Sequence, residues 1–174
     1  NAVEMHRKGF SGALIITGLR SSGKSSLSKK VAGMHFSADR IFNLRAPKGC
    51  AADPTVFSQK LTETLRAPGA SIDEAFLAIP EQSVVIIQDL GLWWERKPGG
   101  DAVIELIKQL IDRYGSRCLF LININTHALR MLDHWCNLSR YALQTISCEP
   151  FGARDLEKLI LLRHHAGGMQ YVFN

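Results

Sequence analysis

The nine residues GLRSSGKSS (residues 18–26) follow directly on the apolar run GALIIT (residues 12–17). They meet the spacing G-x-x-x-x-G-K-[ST] at Gly18, Gly23, Lys24 and Ser25, with a strand-like run before and a helical pattern after. Glycine at these places lets the chain turn sharply and lets bare backbone approach an anion. The N–H groups of Ser22, Gly23, Lys24 and Ser25 are expected at the open end of a helix, where the dipole favours negative charge. Lys24 is expected to reach the β- and γ-phosphates of a nucleotide. The Ser25 hydroxyl is expected to ligate Mg²⁺ and the Ser26 backbone to hold the α-phosphate side, with Ser21 in the same loop.

Outward from this loop, GALIIT reads as a buried strand. After it, Leu27, Val31 and Met34 recur at helical spacing, with Gly33 near the helix end. DRIFNL (39–44) is a weaker strand and APKGCAADP (46–54) is loop chemistry. Phe57, Leu61 and Leu65 mark an amphipathic helix. SIDE (71–74) fits a capping box that opens a short helix over Phe76 and Ile79, ended by Pro80.

SVVIIQD (83–89) is the most strand-like segment, apolar on successive residues as expected when both faces are covered. Val103, Leu106, Ile107, Leu110 and Ile111 form a helical stripe closed by Gly115. CLFLININ (118–125) is a third buried strand, and a helix starts near Thr126. YALQTISCE (141–149) is a further strand stopped by Pro150, and ARDLEKLILLRHH (153–165) is a final helix ending at Gly167-Gly168. MQYVF (169–173) reads as a short strand. ERKPGG (95–100) and RAPGA (66–70) are surface loops. Apolar strands alternating with helices indicate an α/β sandwich on a mainly parallel sheet.

Composition agrees: 174 residues, 46% hydrophobic and 21% charged, allow one domain with a real core. No apolar stretch is long enough for a membrane span, and the first ten residues lack the apolar core of a secretory signal. Asn1 and Ala2 carry no weight in the fold reading. The four cysteines form no C-x-x-C pair, and Cys118 and Cys148 sit in apolar runs as small core residues. This usage fits a reducing cytosol, so a cytoplasmic chain is expected. A net charge of +5 permits an anionic partner, nucleic acid included, but the basic residues are scattered apart from His6-Arg7-Lys8 and Lys29-Lys30.

A phosphate-binding loop of this kind works with a carboxylate at the end of a neighbouring strand. The candidate is Asp89, and two alignments are open. Either Asp89 stands on the metal side, with Glu95 or nothing as base, or Gln88 fills the metal position and Asp89 is the base. Four apolar residues before an acid pair fit the second. Both leave a single carboxylate, so slow hydrolysis is expected; the plainer role for Asp89 is the cap of a turn. Trp93 and Trp94 either cover the end of the sheet or stack on a base or partner.

The loop, its strand and its helix together make the Walker A motif, and the chain resembles the P-loop NTPase superfamily. That resemblance implies ATP or GTP with Mg²⁺, on a three-layer α/β sandwich. Arg20 departs from the usual small residue and is expected to face solvent or to add charge near the γ-phosphate. CLFLININ resembles the sensor-1 strand of the AAA+ and related STAND ATPases, provided that it lies between the loop strand and the Asp89 strand. Asn123 or Asn125 is then expected to hydrogen-bond the attacking water; the alternative for Asn123 is a bond to a loop backbone. LSRYALQTISCEPFGARDLEKLILLRHH (138–165) is similar to the AAA+ stretch that carries an arginine finger, a proline–aromatic step and the opening of a helical lid. Arg140 stands at the finger, which in that family acts on a neighbouring subunit's nucleotide and implies a homo-oligomer; its plain alternative is a surface salt bridge.

The organisation implied is an N-terminal segment (1–11), an ATPase core (12–150) and the start of a lid or linker (151–174). The lid is truncated at Asn174, and Arg163 is a weak stand-in for a sensor-2 residue. Function follows as an ATP-binding, slowly hydrolysing domain of a larger protein, coupling nucleotide state to a partner domain. Two alternatives stand beside it: a small-molecule kinase of the adenylylsulfate-kinase type, and a non-catalytic nucleotide-sensing scaffold. The chain has no NKxD-like segment, which favours ATP over GTP.

Overall fold

The structure, a computed structural model, describes residues 1–46, 48–49 and 52–167. Cys50 and the strand expected in MQYVF lie outside the described residues. The elements are α1 (Ala2–Arg7), β1 (Ala13–Gly18), α2 (Lys24–His35), β2 (Ile41–Leu44), α3 (Pro54–Thr64), α4 (Ile72–Ala78), β3 (Ser83–Ile87), α5 (Ala102–Tyr114), β4 (Cys118–Asn125), α6 (Thr126–Cys136), β5 (Ala142–Cys148) and α7 (Ala153–Ala166).

The five strands form one all-parallel sheet in the order β2-β3-β4-β1-β5. β4 therefore lies between the loop strand β1 and the Gln88-Asp89 strand β3, the place that the sensor-1 resemblance requires. Successive residues of a strand face opposite ways, and both faces here are covered. Ala13 and Ile15 of β1 join a core with Phe57 and Leu61 of α3, Phe76 of α4, Ile104 and Ile107 of α5, and Leu132 of α6. Leu14 and Ile16 face the other way, with Ala2 and Val3 of α1 and Ala32 of α2. This double burial is why β1, β3 and β4 read as unbroken apolar runs.

Two local readings need correction. Of the α2 stripe expected from Leu27, Val31 and Met34, Leu27 and Val31 are half-buried and pack against the core, whereas Met34 is exposed; Lys24, Ser28 and Ala32 are the fully buried set. Small Ser28 and Ala32 let this helix sit close to the sheet, with Leu27 and Val31 packing beside them. Gly33 lies inside the helix, which ends at His35. Cys148 is half-buried on the edge strand β5, whereas Cys118 is fully buried, and burial pushes its thiol up to about 12.

The capping box at Ser71 and Glu74 is present. A second one, unread in the sequence, closes the start of α1: the Asn1 side chain accepts from Val3 and Glu4 amides. α1 is then tied to the sheet by Ala2 N donating to Gln144 Oε1 (3.1 Å) and by His6 Nδ1 at 3.0 Å from Gly115 O. At the same end of the sheet, Arg117 donates to the Phe76, Leu77 and Ile79 carbonyls and to Glu81, taking up the backbone acceptors that the end of α4 leaves open.

Trp93 is fully buried, edge-on to Phe57 with centroids 5.1 Å apart, so it covers the sheet as core. Trp94 packs against the core and edge-on to the half-exposed Trp135. α7 buries no residue; Leu156, Ile160, Leu161 and Leu162 are all exposed. No helix of the described residues is long and apolar enough to cross a membrane.

Candidate functional site

The site sits where β1 ends. Gly18 is required by close approach: a Cβ there would lie 2.6 Å from Cys148 O and would meet Ser22 Oγ. The backbone then passes through left-handed Ser21 (φ 63°) and Gly23 (φ 86°) before α2 begins. Gly23 is the N-cap of α2 and brings no side chain to its first turn, so the amides of that turn are left uncapped. Ser22 is buried, and its Oγ has no hydrogen-bond partner. Lys24 is buried and donates from Nζ to Gly18 O (2.9 Å) and Leu19 O (2.6 Å), folding back over the loop. Ser21, Ser25 and Ser26 are exposed on the loop and the first turn of α2. Burial raises the Cys148 thiol, with nearby Lys24 pulling the other way.

Beneath the loop runs a chain of neutral polar groups centred on Gln88. Its Oε1 accepts from Ser25 Oγ (2.9 Å) and from Asn123 Nδ2 (2.7 Å), and its Nε2 donates to Asn43 Oδ1 (3.1 Å). Asn123 Nδ2 also donates to Ser28 Oγ (2.9 Å). Register explains the meeting: Ile87 is level with Ile122, so the next residues along the two strands, Gln88 and Asn123, come side by side.

Of the two alignments left open, this geometry puts Gln88 against the Ser25 hydroxyl. Ser25 and Asp89, expected together around Mg²⁺, are not hydrogen-bonded to each other. The next residue of the strand turns away: Asp89 is exposed and left-handed (φ 48°), opening the 3-10 turn Leu90–Trp93. Mg²⁺ bound by P-loop proteins relies on a carboxylate beside the loop hydroxyl, because a hard, strongly hydrated dication wants charged oxygen. Here that place holds an amide whose oxygen already accepts two hydrogen bonds. The donor set does not fit the metal, and no cluster of three His, Cys, Asp or Glu side chains supplies another site among the described residues.

Asp89 instead lines a cavity of about 520 Å³ with Arg20, Lys24, Gly91, Leu92, Asn125 and Ala128. Two expectations shift accordingly. Asn123 is fully buried and belongs to the Gln88 chain rather than to this cavity, with its Oδ1 unpartnered. Asn125, level with Gly18 across β1 and β4, is the β4 asparagine that reaches the cavity, where it also caps α6 by accepting from His127 N (2.9 Å). Arg20 lines the same cavity and is exposed.

Arg140 lies elsewhere. It sits on the turn Leu138–Tyr141 that leads into β5, in a cavity of about 430 Å³ with Ser11, Gly12 and Asp112, at the sheet end opposite the loop. Sequence reading missed Asn43 and Ser28. Ser28 stands one turn beyond Ser25, and Asn43 is a polar residue inside an apolar strand; neither fact alone names a partner. It also missed the nearness of Phe151, whose ring Cζ lies 4.0 Å from the place of a Cβ on Gly23.

No family model matches the sequence, nor does any curated protein. Solved structures do match in shape. The ORC2 protein of Aeropyrum pernix, in ADPNP–ADP complexes, superposes with a TM-score of 0.66 at 12% identity, covering 94% of this chain and 48% of that one. The ORC1 protein of the same organism, in complex with DNA, gives 0.64 at 15% identity, with coverage of 95% and 47%. AMPPCP-bound DnaA of Aquifex aeolicus gives 0.57 at 15% identity, with coverage of 97% and 50%. The fold is that of the AAA+ P-loop ATPases. At these identities the likeness establishes the AAA+ fold alone, and the chain spans about half the length of these matched chains.

Proposed function

We propose that this AAA+-fold chain is an ATP-binding domain that hydrolyses slowly and passes its nucleotide state to a partner domain. The observation that carries the reading is the uncapped start of α2, wrapped by Gly18, Gly23 and the Lys24 ammonium, opening beside a cavity that bears Asp89. The amides of Ser22, Gly23, Lys24, Ser25 and Ser26, with Ser21 at the turn, would surround the phosphate tail, and Lys24 would leave its two carbonyls for the β- and γ-phosphates.

Asp89 is the carboxylate in the cavity and acts as the base. It takes a proton from a water as that oxygen bonds to the γ-phosphorus and the bond to the β-bridging oxygen breaks. Asn125, which lines the cavity, would orient that water rather than Asn123. Turnover is slow because no second acid joins it. Arg140, at the far end of the sheet, reaches no nucleotide in its own chain and is assigned to a neighbouring copy's site. Residues 151–174 begin a lid, and exposed Leu156 and Ile160 on α7 are the apolar surface it would build on.

Calorimetric titration of the chain with ATP, ADP and GTP tests the reading, with turnover followed alongside. Adenine nucleotides are expected to bind and Lys24→Ala to abolish the heat. Equal heats from the wild type and the variant would refute the site.

A further inference from the structure

The charge around the loop departs from what a metal-bound triphosphate needs, and the departure is specific. The Ser25 hydroxyl, which faces a carboxylate where a magnesium shell is held, donates here to the neutral Gln88. Gln88 cannot turn its oxygen elsewhere cheaply, because its nitrogen is held by Asn43 and its oxygen by Asn123 as well. These partners come from β2 and β4, so the amide is fixed from both sides of its strand. A triphosphate bound beside this network still brings three to four negative charges that must be balanced.

Two cations border the cavity. Lys24 is one. The other is Arg20, at a loop position the motif leaves free, exposed, and held by no hydrogen bond or ion pair among the described residues. Its planar fork of donors matches phosphate oxygens two at a time, and it does not lose its proton.

We propose that this site binds ATP without a divalent cation, with the Arg20 guanidinium supplying the charge that a metal supplies elsewhere. The proposal rests on the nucleotide-binding reading above. It makes the domain a sensor of ATP that does not respond to free magnesium. Gln88 meets the Ser25 hydroxyl with a neutral amide in place of a carboxylate, and Arg20 closes on the terminal phosphates from the loop.

The test is calorimetry of ATP binding to the whole chain, in excess MgCl₂ and in excess EDTA. Wild-type dissociation constants are expected to agree within about threefold, well under the tenfold that corresponds to 1.4 kcal/mol. Arg20→Ala is expected to weaken ATP binding in EDTA by about tenfold, with Arg20→Lys recovering part of the loss. Gln88→Asp is expected to make magnesium tighten binding by about tenfold, since it puts a carboxylate beside the Ser25 hydroxyl, where Asp89 does not reach.

A wild type that loses about tenfold or more in EDTA overturns the proposal while leaving nucleotide binding intact. An Arg20→Ala variant that binds as the wild type does also overturns it. Absence of binding in both buffers overturns the nucleotide reading itself and the proposal with it. Should Gln88→Asp fail to fold, the wild-type comparison and the exposed Arg20 variants still decide the matter.

Discussion

At the N-terminal end of the sheet, loose polar ends are tied down. Arg117 spends its guanidinium on three carbonyls and Glu81, His6 pairs with Gly115 O, and Ser11 Oγ donates to Ile111 O. At the C-terminal end the pattern reverses. The first turn of α2 has no side-chain cap, Ser22 Oγ and Asn123 Oδ1 are buried without partners, and Ser21 and Asp89 sit in left-handed backbone. The N-terminal end spends backbone acceptors and side-chain donors in holding the fold, although His6 Nε2 and Gln82 Oε1 are buried there without partners and Gln82 is left-handed; what sets the other end apart is an open helix start beside a cavity. Unspent donors at a helix start and strained backbone beside a cavity are what a binding site looks like before its ligand is considered.

That contrast can be broken from either end. The largest effect is expected at Lys24: replacing it by Ala should cost ATP affinity about a thousandfold, because a charge-assisted contact to phosphate is lost, with a small drop in melting temperature as the Gly18 and Leu19 carbonyls lose their donor. Calorimetry and thermal melting together check both halves. Asp89→Asn should lower turnover by about a hundredfold, the usual worth of a positioned base, with ADP affinity little changed; a phosphate-release assay alongside ADP titration reads this. Unchanged turnover would remove Asp89 from its role.

The opposite end should answer in stability. Arg117→Ala leaves three carbonyls short of a donor and is expected to cost about 2 kcal/mol, read as a lower denaturation midpoint in urea at unchanged slope. The smallest effect concerns pH. Burial holds the His6 imidazole below its usual 6.5, so the unfolded chain takes up the proton first as pH falls. The contribution of His6 is complete above about pH 6.5 and declines as the pH drops towards the lowered folded value. His6→Gln should therefore flatten the fall in melting temperature between neutral and mildly acid pH.

The geometry of the loop between β1 and α2 was legible because its spacing is a backbone requirement written in residue types: Gly18 answers to Cys148 O, and Gly23 to a left-handed cap. β3 and β4 were legible because strands covered on both faces lose their polar alternation. α2 was legible in part: Leu27 and Val31 do pack against the core, but the small residues it buries fully, Ser28 and Ala32, carry little hydrophobic signal, and the larger Met34 points to solvent. α1 escaped because six residues are too few for a periodicity, though Asn1 and Glu4 carried the capping pattern. The Gln88 network could not be read, since Asn43 and Asn123 meet it only through strand order. The choice between Asn123 and Asn125 turned on depth along β4: the fully buried Asn123 ends under α2, and Asn125 at the mouth.

The strand that carries the loop has no neighbour nearby in the chain: Ala13 pairs with Phe120 on one side and Ala142 on the other. Loop closure on this scale is slow and comes late. A shortened product ending before β5 would lack one wall of the cradle, since Gly18 lies against Cys148 of that strand. If the loop binds nucleotide as proposed, capture would report that the last strand is in place, and a lesion that delays that strand would silence the site without touching a residue of it.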